Sequence, residues 1–166
     1  MSNLEGKNVI KFYRARGKNG FLSNLYKKPI IFEDREFLCS EYPFQFGKIK
    51  DPEVREWVML CPKPHILAGL AHSLLSWDIV EDWSKIRFDR MLDVLRAKFS
   101  DPDLKEKLLN TGDSILIEDS KTDGIWGIGK SGKGKNMLGK LLMKVRDELN
   151  NKHMTNASRS KEVNKD

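Results

Sequence analysis

Short apolar runs alternate with longer stretches of helical periodicity along this 166-residue chain, and the pattern predicts an α+β fold. Apolar and β-branched residues between polar turns predict four short strands, over residues 9–13, 30–32, 37–39 and 114–118. Apolar residues that recur every three or four positions predict helices over 40–48, 52–60, 65–75, 81–99, 104–109 and 137–149. We therefore expect a single compact, helix-rich domain with a small β-sheet.

Length and composition fit one domain outside the membrane. The hydrophobic content is 39%, and residues 1–149 hold all the predicted elements. Residues 150–166 are polar, lack aromatic side chains and predict a disordered tail. The first residues contain no apolar signal region, and no apolar run is long enough to cross a membrane, so a cytoplasmic protein without membrane partners is expected.

Cysteine and histidine patterns give no metal signature. Cys39 and Cys61 lie in apolar surroundings without a CxxC or histidine-ligand spacing, and we interpret both as reduced packing cysteines. His65 and His72 have no partner spacing typical of catalysis either. No metal site and no cofactor is predicted.

Candidate chemistry begins at the helix predicted after Ser40. Ser40 is a good N-cap residue, which places Glu41 in the first turn. Glu41, Gln45 and Lys48 are spaced i, i+4 and i+7, so they share one helix face beside an apolar face containing Tyr42. An acid, an amide and an amine on one face suit acid–base or covalent catalysis. The alternative is a solvated surface helix.

A second candidate segment follows the last predicted strand. It contains Asp123 and Trp126, and a helix is predicted directly after it. Its glycines and asparagine are Gly124, Gly127, Gly129, Gly132, Gly134, Asn136 and Gly139. A glycine-rich loop between a strand and a helix suits phosphate binding by backbone amides, although the spacing is not that of a P-loop.

The distribution of charge along the chain is compatible with a polyanionic partner. The formal net charge is +6, and residues 124–145 hold several lysines and no acidic residue. A polar loop near the N-terminus carries Arg14, Arg16 and Lys18. Both segments could approach phosphates, or they could be solvated faces. Asn24, in a Ser-Asn pair flanked by apolar residues, could bond the backbone or a ligand.

Several of these segments together resemble the NADAR superfamily. The resemblance rests on Tyr13, Phe21-Leu22-Ser23-Asn24, Ser40-Glu41-Tyr42 with Gln45 and Lys48, Trp83, Leu95-Arg96-Ala97-Lys98-Phe99, and the block from Asp123 to Gly139. It covers about residues 9–149, in the family's order. The chain departs from the family's commoner Glu-His-Tyr by having Glu41-Tyr42-Pro43, which leaves Glu41 in register.

The resemblance implies a domain that hydrolyses N-glycosidic bonds of ribose phosphates. Glu41, Lys48 and Asp123 are its implied catalytic residues, with Lys48 able to form a Schiff base at the anomeric carbon. The implied ligand-binding residues are Arg14, Asn24, Gln45, Trp83, Trp126, Gly127, Gly129, Gly132, Gly134 and Asn136. The two tryptophans could stack on a base or belong to the core.

Alternative functions stay open at this stage. We favour removal of ADP-ribose from guanine in DNA or nucleotides, with ADP-ribose as the product, because the basic segments suit a nucleic-acid carrier. An N-glycosidase of phosphorylated riboflavin-pathway intermediates is the first alternative. A non-catalytic ADP-ribose-binding module and a basic nucleic-acid adaptor are weaker alternatives.

Overall fold

A computed structural model describes the backbone of residues 8–163 and the side chains of residues 8–152. Its architecture is α+β, which confirms the predicted fold class. The strands are β1 Val9–Phe12, β2 Ile30–Phe32, β3 Arg35–Phe37 and β4 Ile115–Glu118, and the helices are α1 Glu41–Lys48, α2 Pro52–Met59, α3 Pro64–Ser73, α4 Trp83–Lys98, α5 Pro102–Leu109 and α6 Met137–Val163. One compact unit is Phe12–Lys98, and a second is formed by the described residues of Met1–Lys11 and Phe99–Asp166.

The hairpin of the first unit differs from the prediction in its turn. Strands β2 and β3 are antiparallel, with Ile30 opposite Phe37. The sequence predicted a four-residue turn, but only Glu33 and Asp34 form it, with φ of +50° and +59°. Positive φ at both central positions gives a tight turn whose twist matches the strands. The second strand therefore starts at Arg35, two residues before its predicted start at Phe37.

The core of the first unit surrounds helix α1. Its buried members are Ile30, Phe37, Cys39, Tyr42, Ile49, Val58, Leu67 and Val94. The Tyr42 hydroxyl donates to the Cys61 carbonyl oxygen at 2.6 Å, so this buried phenol is satisfied. Cys39 is fully buried among apolar side chains and is a free thiol, as predicted for a packing cysteine. This core fixes the Tyr42 face of α1, and the polar residues Glu41 and Gln45 are buried elsewhere on the same helix.

Helix α4 is shorter than predicted, and the apolar residues expected to form its buried stripe are only partly buried. It runs from Trp83 to Lys98, because Asp82 has φ of +58° and cannot join the helix. Met91 and Leu95 are buried as expected, but Ile86 is 44% exposed. The fully buried part of the stripe therefore lies in the C-terminal half of the helix.

The second unit is built around β4 and α6. The Ile115 amide donates to the Asn8 carbonyl oxygen at 2.8 Å where β4 pairs with β1. Buried Arg146 of α6 donates to Thr111 Oγ1 at 2.8 Å and to the Ser114 carbonyl oxygen at 2.9 Å. These bonds fasten α6 to the turn that precedes β4.

Helix α6 passes the predicted end of the last helix. It continues to Val163, whereas the sequence predicted an end at residue 149. Side chains after residue 152 and residues 164–166 lie outside the described part of the chain. The domain boundary at residue 149 and a disordered tail stay predictions.

The described helices include none that is both long and apolar enough to cross a membrane.

Candidate active site

The Glu41 carboxylate is the centre of a buried polar cluster at the start of α1. Asn24 Nδ2 donates to Glu41 Oε2 at 2.6 Å, and Gln45 Nε2 donates to Glu41 Oε1 at 2.7 Å. All three residues are at most 8% exposed. Each carboxylate oxygen thus accepts one amide hydrogen bond. The predicted shared face of Glu41 and Gln45 is present, and the contact with Asn24 is one that the sequence did not predict. Among the described residues, Asn24 Oδ1 and Gln45 Oε1 are buried without a hydrogen-bond partner.

The Ser23–Asn24 turn caps the helix in a way that the sequence did not predict. The Asn24 carbonyl oxygen accepts the Glu41 amide at 3.2 Å and Ser40 Oγ at 3.1 Å. Ser40 occupies the N-cap position but its side chain makes no capping bond, so its predicted capping role is wrong. The turn, rather than Ser40, holds the first turn of α1. Pro43 is tolerated there because an N–H is not required so early in a helix.

Burial dominates the electrostatics of Glu41. It raises the pKa of the carboxyl group, whereas the bonds from Gln45 and Asn24 and the charges of His72 and Lys48 lower it. The net direction is upward. A carboxyl group with a raised pKa can hold a proton close to neutral pH and exchange it with a substrate.

Lys48 lies at the other end of the same helix, half-buried. Its Nζ donates to the Ala71 carbonyl oxygen at the end of α3. Desolvation lowers the pKa of the Lys48 amine, and the Glu41 charge opposes that shift. A lowered pKa increases the fraction of neutral amine, which is the nucleophilic form. The arrangement suits covalent catalysis more than the solvated surface lysine of the alternative interpretation.

His72 belongs to the surroundings of this cluster, although no motif in the sequence pointed to it. It follows Ala71 directly, and its charge is among the causes that lower the pKa of Glu41. The ring is exposed, and Nδ1 lies 2.8 Å from the Ala68 carbonyl oxygen. No spacing in the sequence could have shown this, because His72 reaches Glu41 only through the packing of α3 against α1.

Lys98 is a second lysine that sequence reasoning did not place in the site. It is 4% exposed, and its Nζ donates to the Ser23 carbonyl oxygen at 2.8 Å. It thereby supports the turn that carries Asn24. Burial lowers the pKa of Lys98 to about 7. The one feature of the sequence that pointed to Lys98 was its position in a segment that resembles the NADAR superfamily.

We expect Lys98 to make stability depend on pH. In the unfolded chain this amine has its ordinary pKa near 10.5, so between about pH 7 and that value the unfolded state binds the extra proton. The free energy of unfolding should rise with pH through this window by about 1.4 kcal/mol per unit, relative to Lys98→Met. Urea unfolding from pH 6 to 9 measures the difference. Exposed Lys27→Met should run parallel to the wild type, and parallel curves for Lys98→Met would refute the assignment.

In the second unit, Asp123 organises the glycine-rich loop. Its Oδ1 accepts the amides of Ile125 at 2.7 Å and Trp126 at 2.8 Å. Ser120 Oγ in turn accepts the Asp123 amide at 3.1 Å. This is an Asx turn, the common structural use of an aspartate at such a position. The catalytic role predicted for Asp123 stays a prediction, and the described contacts give this carboxylate a structural role.

Asn136 fastens the end of the loop to β4. Its Oδ1 accepts the Glu118 amide at 2.9 Å, and its Nδ2 donates to the Leu116 carbonyl oxygen at 2.9 Å. Its φ of +50° lets the chain turn into α6. The predicted ligand contact of Asn136 therefore competes with two bonds that engage both the oxygen and the nitrogen of its amide.

The predicted phosphate contacts of Gly132 and Gly134 need revision. Both amides donate within the loop, to Gly129 O at 3.2 Å and to Ile128 O at 2.7 Å. A Cβ atom on Gly134 would lie 2.5 Å from the Gly127 carbonyl oxygen, whereas one on Gly132 would meet open space. Replacing Gly134 by a larger residue therefore perturbs the folding of the loop itself. The lysines of the basic block, Lys130, Lys133, Lys135, Lys140 and Lys144, are all exposed.

The remaining predicted ligand residues differ in their surroundings. Trp83 packs on Phe44, with ring centroids 5.1 Å apart, which is a core-type contact. Trp126 and Gly127 are held within the glycine-rich loop, and Gly129 has φ of +64°. Arg14 is exposed. Ligand binding by these residues stays a prediction. Among the described residues, no group of three or more His, Cys, Asp or Glu could hold a metal ion.

Comparison with known protein families shows the family to which the chain belongs. A NADAR domain model matches residues 11–150. The chain therefore belongs to the NADAR domain family, as the sequence motifs indicated.

Individual relatives carry names that indicate the type of bond they cleave or the pathway they serve. N-glycosidase YbiA of Escherichia coli (strain K12) is 34% identical over 142 residues, which cover 85% of this chain and 88% of that protein. An N-glycosidase of Nostoc punctiforme is 32% identical and covers 86% of this chain and 94% of its own length. A riboflavin biosynthesis protein of Vibrio vulnificus is 36% identical over 84% of this chain but only 38% of its own length.

A solved structure shares the fold. The NMR structure of E. coli YbiA superposes with a TM-score of 0.82 and 32% identity, covering 89% of this chain and 88% of that one. The names of the relatives support the coarser prediction, an enzyme that hydrolyses N-glycosidic bonds.

Proposed function

We propose that this protein removes ADP-ribose from the guanine base of nucleic acid by hydrolysing the N-glycosidic bond. One observation carries the proposal: buried Glu41, held by two amide donors, shares helix α1 with half-buried Lys48. A non-catalytic binding module would not need a buried carboxyl group with a raised pKa beside a desolvated amine.

The proposed chemistry uses Glu41 in its protonated form and Lys48 as the neutral amine, which are the forms that the two pKa shifts favour. Protonated Glu41 gives its proton to the ribose ring oxygen as the C1–O bond breaks, which leaves C1 doubly bonded to the base nitrogen. The neutral Lys48 amine adds to C1 and passes one proton to the base nitrogen. The C1–N bond to guanine then breaks, and guanine leaves with a neutral amino group. The lysine is then joined to C1 as a protonated Schiff base.

Water completes the cycle. It adds to C1 of the Schiff base, and Glu41 as carboxylate accepts one of its protons. The second proton passes from the new hydroxyl to the Lys48 nitrogen, the C1–N bond breaks, and Lys48 leaves as a neutral amine. ADP-ribose is released as the free sugar, and Glu41 is again protonated. Asn24 and Gln45 hold the carboxylate while it carries charge and limit the cost of that charge in a buried site.

The preference for a nucleic-acid carrier rests on charge. The net charge is +6, and residues 130–144 contain exposed lysines and no acidic residue. Small metabolites do not require such an excess, whereas binding a strand releases counterions from its phosphates.

A salt titration with two carriers of the same linkage tests this preference. Hydrolysis of ADP-ribosylated guanine in an oligonucleotide should fall more steeply with salt than hydrolysis of ADP-ribosylated guanosine, since only the longer substrate releases several counterions. Phosphorylated aminouracil ribosides are assayed in parallel, so that cleavage of the two guanine substrates can be compared with cleavage of a riboflavin-pathway type of substrate. Equal salt dependence of both guanine substrates would remove the nucleic-acid preference.

A second candidate function has an observation of its own. The Vibrio vulnificus relative is named a riboflavin biosynthesis protein, and cleavage of a phosphorylated riboflavin-pathway intermediate uses the same bond type. Rapid cleavage of the aminouracil riboside without cleavage of either guanine substrate would establish this alternative.

A further inference from the structure

A short surface loop, residues 74–79, lies between two hydrogen bonds to Lys48, one to its side chain and one to its backbone. Before the loop, the Ala71 carbonyl oxygen accepts the Lys48 side chain. After it, the Val80 amide donates to the Lys48 carbonyl oxygen at 3.0 Å. The Lys50 amide donates to Asp78 O at 2.8 Å and completes an isolated β-bridge between Ile49 and Ile79. We call residues 74–79 the Lys48 loop.

The backbone of the Lys48 loop is well held, but two of its large apolar side chains face solvent. Asp78 Oδ2 accepts the Leu75 amide at 3.0 Å, and the Asp78 amide donates back to Leu75 O at 3.0 Å. Leu75 is nevertheless 51% exposed and Trp77 is 71% exposed. A hydrogen-bonded loop that presents a tryptophan to solvent, and whose backbone is joined to that of Lys48, suits recognition more than folding.

The charges near the loop compensate one another. Lys50 lies 3.9 Å from Glu81, and Lys85 lies 2.7 Å from Asp82. This surface therefore has no basic excess with which to hold phosphates. Its distinctive group is the flat indole ring of Trp77, which suits the face of a nucleobase, because stacking on an aromatic ring accepts any base.

We infer that Trp77 is a specificity-determining residue that stacks on an unpaired nucleobase next to the ADP-ribosylated guanine. The inference rests on the proposed function and names the part of the substrate that this loop contacts. The scissile carbon has to reach the half-buried Lys48 amine, whereas Trp77 stands at the surface. Trp77 therefore meets the portion of the strand that stays outside, the neighbouring nucleotide.

Steady-state kinetics on two substrates test the inference. Trp77→Ala should raise KM about tenfold for a single-stranded trinucleotide with a central ADP-ribosylated guanine, since loss of one stacked base costs roughly 5- to 150-fold in affinity. Kinetics on ADP-ribosylated guanosine should not change, and Trp77→Phe should restore most of the KM. Trp57→Ala is the matched control, because Trp57 is 65% exposed in the same unit but lies on α2.

A binding measurement separates this inference from the proposed function. Fluorescence anisotropy compares an unmodified single-stranded oligonucleotide with an abasic strand of equal length. The wild type and Trp57→Ala should prefer the strand with bases, and Trp77→Ala should lose that preference. If no guanine substrate is cleaved but the preference still depends on Trp77, the proposed function fails and the stacking role stands. Wild-type behaviour of Trp77→Ala in both assays would overturn the inference.

Discussion

Lys48→Arg should lose turnover, with kcat lower by roughly 10³-fold or more, while substrate binding is largely retained. Arginine keeps the positive charge and most of the length of the side chain, but its guanidinium is not a nucleophile at neutral pH and forms no Schiff base. Lys48→Ala should fail equally. Single-turnover kinetics with excess enzyme, beside a separate binding titration, distinguish lost chemistry from lost affinity.

Lys50→Arg is the matched control for Lys48→Arg. Lys50 lies two residues further along the chain and is exposed, and its Nζ lies 3.9 Å from Glu81 Oε1. Its variant should keep wild-type kcat. An active Lys48→Arg variant would exclude the covalent route and leave a direct attack of water on the anomeric carbon.

Glu41→Gln should lower kcat by about 10²- to 10⁴-fold, which is the usual contribution of a positioned acid–base group. The substitution keeps the size of the side chain but removes the exchangeable proton. The fold should tolerate it, because the new amide can donate to Asn24 Oδ1 or Gln45 Oε1, the buried oxygens that have no partner among the described residues. Thermal unfolding should show a Tm no lower than that of the wild type.

The exposed Glu36 of β3 provides the control for Glu41→Gln. Glu36→Gln should change neither kcat nor Tm, since this carboxylate faces solvent. A folded Glu41→Gln variant with wild-type kcat would remove Glu41 from the chemistry and leave it a structural role.

Local sequence signals predicted the elements that depend on short-range physics. Asp51 before Pro52 predicted the start of α2, and its side chain accepts the amides of Glu53 and Val54. The periodicity of α1 predicted that Glu41 and Gln45 share a face, and they are hydrogen-bonded. Helix spacing fixes such relations before any tertiary contact is known.

Long-range packing decided the features that the sequence could not provide. The capping of α1 by the Asn24 carbonyl oxygen joins residues 17 positions apart, and the bond from Lys98 to Ser23 spans 75 positions. Neither pairing has a local motif. Asp123 illustrates the opposite case, since a carboxylate chosen for chemistry satisfies an Asx turn inside its own loop.

Mass mapping of a borohydride-trapped adduct tests the central claim most directly. Wild-type protein reacting with ADP-ribosylated guanosine, quenched with borohydride and digested, should carry the reduced sugar on the peptide that contains Lys48. Lys98 is the informative alternative, because burial lowers its pKa to about 7 but leaves it only 4% exposed. An adduct on Lys98, or turnover without any adduct, would contradict the assignment of Lys48 as the nucleophile.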